Sequence, residues 1–70
     1  MYKYEIIIYF SREDNVFVAE VPELPGCMAH GKDPEEAARN IRDAIALWIE
    51  SAEEFGREVP APLERRLEFA

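Results

Sequence analysis

Seventy residues carrying fifteen acids against eight bases, for a formal net charge of −7, make one small domain with a thin core. Hydrophobic residues at 49% and charged residues at 33% exclude a disordered chain. The shortage of clustered Lys and Arg argues against autonomous binding to nucleic-acid phosphates, whereas an acidic surface steers basic partners towards it. One cysteine, Cys27, rules out an internal disulfide framework. No run approaches a transmembrane span, and Met1 to Glu5 lack the charged start and cleavage site of a signal peptide, so a cytoplasmic protein is expected.

Tyr2 to Ser11 form a long β-rich run. Arg12-Glu13-Asp14-Asn15 is a polar break of hairpin length, and Val16 to Val21 is the return strand. Alternation places Tyr2, Tyr4, Ile6, Ile8 and Phe10 on one face of the first strand. Lys3, Glu5, Ile7, Tyr9 and Ser11 take the other. On the return strand, Phe17, Ala19 and Val21 oppose Val16, Val18 and Glu20. Pro22-Glu23-Leu24-Pro25-Gly26 then makes a stiff, non-helical bend, because each proline fixes its own φ and restricts the residue before it. A short strand follows at Cys27 to Gly31, with its faces unassigned.

The helix is the most clearly signalled element. Asp33 supplies an N-cap acceptor, Pro34 the first helical position and Glu36 the N3 carboxylate. Ala37, Ile41, Ala44, Ile45, Trp48, Ala52 and Phe55 recur at spacings of three and four, as one buried stripe requires. Phe55-Gly56 is the stop, with Gly56 suited to a left-handed cap. Val59-Pro60-Ala61-Pro62 cannot continue a helix, and Leu67-Glu68-Phe69-Ala70 is a possible final strand. The predicted fold is α+β: an antiparallel sheet of three to four strands, β-β-β-α-β, with one helix on one face.

One helix covers one face. The face with Tyr4, Ile6, Ile8, Phe10, Phe17 and Ala19 is the expected partner of the Ile41–Trp48 stripe. Its reverse carries Ile7, Tyr9, Val16 and Val18 with no second layer from this chain. Neighbouring apolar side chains of that kind form a patch of a few hundred Å², a range that marks interaction surfaces. Burying them yields about 6–12 kcal/mol gross. Association costs of roughly 4–15 kcal/mol consume much of this, so paired strand edges or charge complementarity must contribute as well. The expected partner surface is Ile7, Tyr9, Val16, Val18 and Glu20, with Glu23 and Leu24 of the bend at its rim.

Catalytic chemistry finds little support. Cys27 and His30, three apart on a strand, point to opposite faces, and His30 is the single histidine, too few for a zinc site. The isolated glycines make no phosphate loop. Glu35/Glu36 and Glu53/Glu54 sit at the two helix ends and form no catalytic dyad, and Trp48 lies on the helix stripe as a core residue. No catalytic residue, metal site or cofactor is expected.

These pieces together resemble the HicB antitoxin family, specifically its short single-domain members. The resemblance rests on Tyr4-Glu5-Ile6, on the run from Phe17 through Val21-Pro22-Glu23-Leu24-Pro25-Gly26 to Cys27, on His30-Gly31, on Asp33-Pro34-Glu35-Glu36-Ala37 and on Val59-Pro60. It implies a partial ribonuclease-H-like fold without nuclease activity, in keeping with a first strand that offers Glu5 but no central aspartate. It implies a partner too: a small basic HicA-like toxin, an mRNA-cleaving ribonuclease whose active surface the antitoxin covers. Many relatives carry a further operator-binding domain; this chain ends at Ala70, so no DNA-binding domain and no direct contact with nucleic acid or membrane is expected.

The alternatives are an orphan module that self-associates through the open face or an edge strand, and an enzyme or small-molecule site using the Pro22–Gly26 bend and Cys27. A homodimer is the expected oligomer, since uncovered sheets of small domains commonly pair about a two-fold axis.

Overall fold

The computed structural model of the chain describes residues 4–61. Strands β1 (Ile7–Ser11), β2 (Val16–Glu20) and β3 (Met28–Gly31) precede a helix, α1 (Pro34–Glu54). The sheet is antiparallel in the order β1-β2-β3. This is the expected α+β order, β-β-β-α. Tyr2, Lys3 and the possible strand at Leu67–Ala70 lie outside the described residues.

β1 starts later than the β-rich run suggests. Its register with β2 pairs Ile7 with Glu20 and Ser11 with Val16, so Glu5 would fall opposite Pro22. Proline has no N–H to continue the ladder. The Glu5 N–H instead donates to the Glu23 carboxylate at 3.1 Å. Between β1 and β2, Asn15 closes the hairpin loop with φ 55, a left-handed conformation that asparagine tolerates better than most residues.

The proline-rich bend folds into two successive turns. Leu24 N–H donates to Val21 C=O at 3.1 Å, and Cys27 N–H to Leu24 C=O at 3.0 Å. In the second turn Pro25 precedes Gly26 at φ 78, the residue order and positive φ of a type II turn. Val21 N–H reaches Cys27 C=O at 3.1 Å, which delivers the chain into β3.

α1 is capped at both ends. Asp33 Oδ1 accepts from Glu36 N–H at 2.8 Å, and Glu36 Oε1 accepts from Lys32 N–H at 3.0 Å, a close relative of the capping box. At the far end Arg57 N–H donates to Ala52 C=O and Gly56 N–H to Glu53 C=O, the paired bonds of a Schellman motif. Gly56 takes φ 68 there, as its position after Phe55 predicts.

The core joins Ala37, Ile41, Ile45 and Ile49 of α1 to Tyr4, Ala19, Val21, Leu24 and Cys27. Two details of the helix stripe are corrected. Ile49 belongs to it, continuing the four-residue spacing of Ile41 and Ile45, whereas Phe55 is 72% exposed because it is the C-cap, where the helix path ends. The covered sheet face also differs from expectation. α1 lies chiefly against β3, then β2, and least against β1. Tyr4, Phe17 and Ala19 therefore pack under the helix with Ile6, but Ile8 and Phe10 remain 38% and 47% exposed. Phe10 leans on Phe17 edge-to-face, with centroids 5.1 Å apart.

Candidate partner-binding surface

The strand register defines the sheet's outer face. Tyr9 lies opposite Val18, Ile7 opposite Glu20 and Ser11 opposite Val16. β3 adds His30 opposite Val18 and Met28 opposite Glu20. Ile7, Tyr9 and Met28 are exposed, while Val16 and Val18 are half-buried among their neighbours. A hollow of about 200 Å³ lies on this side, lined by Asp14, Val18, Met28, Ala29 and His30. The result is an apolar strip across adjacent strands with Glu20 and Asp14 beside it.

Sequence periodicity therefore gathers Ile7, Tyr9, Val16, Val18 and Glu20 on one face, as expected. Leu24 is not at its rim. Its side chain is wholly buried, because the turn from Val21 to Leu24 points it inwards as a core plug. Glu23 is half-buried and holds the backbone ahead of β1 through Glu5 N–H. Met28 and His30 were not assignable from sequence, since their facing depends on the turn that links Val21 to Cys27.

The remaining chemistry-bearing groups are placed apart. Cys27 is a buried free thiol whose pKa burial pushes above its ordinary value, which leaves it protonated at neutral pH. His30 is exposed on β3, and its backbone carbonyl accepts from Asn40 Nδ2 at 2.8 Å. Among the described residues, no three His, Cys, Asp or Glu side chains gather where they could hold a metal ion. No helix among them is long and apolar enough to cross a membrane. Trp48 is half-buried and donates its indole N–H to Pro25 C=O at 2.9 Å, tying α1 to the bend.

The family model described as the HicB-like antitoxin of bacterial toxin–antitoxin systems matches residues 4–68. A UPF0150 protein of Thermoplasma acidophilum is 43% identical over 58 residues, 83% of this chain and 83% of its own length. A UPF0150 protein of Synechocystis is 38% identical over 58 residues, 83% of this chain and 78% of the relative. One from Helicobacter pylori is 47% identical over 38 residues, 54% of this chain and 53% of the relative. No solved structure gives a significant match. The match runs from Tyr4 through the sheet, the bend and the capped helix, and on that span the chain belongs to the HicB-like antitoxin family, whose role is that of the antitoxin in bacterial toxin–antitoxin systems.

Proposed function

We propose that this protein binds and neutralises a small basic HicA-like toxin, an mRNA-cleaving ribonuclease, by covering its active surface in the cytoplasm. The observation that carries this reading is the outer sheet face: Ile7, Tyr9, Val16 and Val18 side by side, with Glu20 adjacent and no layer of α1 over them. Met28 and His30 extend the same strip, and Glu23, which accepts from the Glu5 N–H, is the margin residue proposed for it. Apolar burial supplies contact area, and the charge of −7 supplies attraction to a cationic ribonuclease. An inhibitor of this kind contributes no catalytic group. It excludes RNA from the toxin by occupying the surface that RNA would use. Two copies pairing through the same strip, as a homodimer, is the form proposed for the protein without its toxin.

Co-expression with the product of the adjacent gene, which this reading requires to be a small basic ribonuclease, tests it. Growth should be rescued and the two proteins should co-purify. Rescue without any complex, or no rescue from a well-expressed folded protein, contradicts it.

A further inference from the structure

We propose that the hollow on the sheet's outer face is the seat of one basic side chain, Arg or Lys, presented by the protein partner. The proposal rests on the toxin reading above and adds the place where the partner's positive charge is read. The hollow measures about 200 Å³ and is lined by Asp14, Val18, Met28, Ala29 and His30. Val18 and Ala29 are half-buried and form its base, while Asp14, Met28 and His30 stand exposed around it. Small-molecule pockets run to roughly 300–1,000 Å³, so this one suits a single side chain better than a metabolite or cofactor.

The lining itself selects the sign of the occupant. Its one carboxylate is Asp14, and it contains neither Lys nor Arg. Arg12 and Lys32, the bases nearest in sequence, are outside it. Glu20 pairs with Met28 across β2 and β3, which sets a second carboxylate on the same face beside the lining. Arg and Lys carry an apolar stem below a cationic head, which matches an apolar base with an acidic edge. The stem would lie on Val18 and Met28 and the head against the Asp14 carboxylate, where Arg can bond through two parallel N–H groups. A second copy is the poorer fit. Two-fold pairing sets the same face against itself, and β1, β2 and β3 contain no Lys or Arg. A nucleic-acid phosphate would meet Asp14 with like charge. A ribonuclease meets RNA phosphates with Lys and Arg, so a carboxylate that holds one of these cations stands in for a phosphate.

The probe is N-acetyl-arginine amide, one guanidinium on an apolar stem, titrated into the full chain and followed by NMR. Its uncharged match is N-acetyl-norleucine amide. The arginine derivative should give saturable shifts at the Val18 and Met28 methyls, absent with norleucine and lost in Asp14→Asn. Asp14 is exposed, and the bond from its backbone N–H to Ser11 Oγ survives that change. His30→Lys, which adds a cation to the lining, should weaken the same shifts. In the complex with the proposed toxin, Asp14→Asn should lower affinity roughly tenfold and leave self-association as it was. Shifts indifferent to Asp14→Asn, equal shifts from norleucine, or a toxin complex of full strength with Asp14→Asn overturn the proposal. So does a loss of self-association in Asp14→Asn as large as the loss of toxin affinity, which would seat a second copy in the hollow. No complex with the adjacent gene product, while the arginine shifts persist, would count against the toxin and for the hollow's preference.

Discussion

A Cβ built on Gly31 would stand 2.5 Å from the backbone nitrogen of Ala37, at the first turn of α1. The last residue of β3 and the start of the helix are thus packed backbone to backbone, and Lys32 and Asp33 turn the chain between them. Gly31→Ala must push the helix start off the sheet, because a backbone atom cannot rotate aside as a side chain can. The expected loss is about 1–3 kcal/mol, read as a lower denaturation midpoint with little change in the slope against denaturant. An unchanged midpoint would show that this junction is loose.

The bend is held from outside as well as by its own turns. Trp48→Phe keeps most of the aromatic volume and removes the N–H that meets Pro25 C=O. A loss of about 0.5–1.5 kcal/mol is expected, the usual net worth of such a bond. Gly26→Ala places a side chain at the positive φ of Gly26 itself and should cost about 1–2 kcal/mol. The two changes act on one turn, so a double-mutant cycle should show them to be non-additive.

Cys27 links stability to alkaline pH. Its thiol is raised by burial, so the unfolded chain gives up this proton more readily than the folded one. Below the ordinary thiol value of 9.0 both states are protonated and the group has no effect on the pH slope. Above it the unfolded state binds fewer protons, and stability falls as pH rises towards the folded value. Cys27→Ala should flatten that part of the alkaline limb relative to the parent, whatever its effect at neutral pH. Iodoacetamide should label the native thiol slowly and the urea-unfolded thiol quickly.

How much of this was legible in the chain depends on the range of the signal. Local rules sufficed for the helix: the Asp33 cap, Pro34 and the Gly56 stop are all where the residues predict, since capping is chemistry within one turn. The outer-face set of Ile7, Tyr9, Val16 and Val18 was legible because strand alternation is equally local. The placement of α1 was not. Ile8 and Phe10 share a face with Ala19 and Phe17, but periodicity cannot say that the helix would sit over β3 and β2 and leave β1 largely uncovered. Leu24 shows the same limit in a turn. Flanked by Glu23 and Pro25 it looks like a surface residue, and only the hydrogen bonds from Val21 to Cys27 turn it into the core. Phe55 shows it again at the helix end, since it fits the spacing of the buried stripe but stands exposed where the helix stops.

The charge complementarity proposed between this acidic chain and a basic toxin gives a prediction that needs no variant. Affinity for a basic ribonuclease should fall as salt rises, chiefly through slower association, because screening acts on long-range steering first. An affinity indifferent to salt would leave apolar contact as the whole of the attraction.

The most direct measurement is the affinity of the purified protein for the basic ribonuclease proposed as its partner, with and without Tyr9→Asp and Val18→Asp together. Both side chains are on the sheet's outer face, away from α1, so the helical circular dichroism should be retained. The account predicts a loss of affinity on the order of a hundredfold or more, as for central apolar residues of an interface. Binding of undiminished strength by the folded double variant would contradict it.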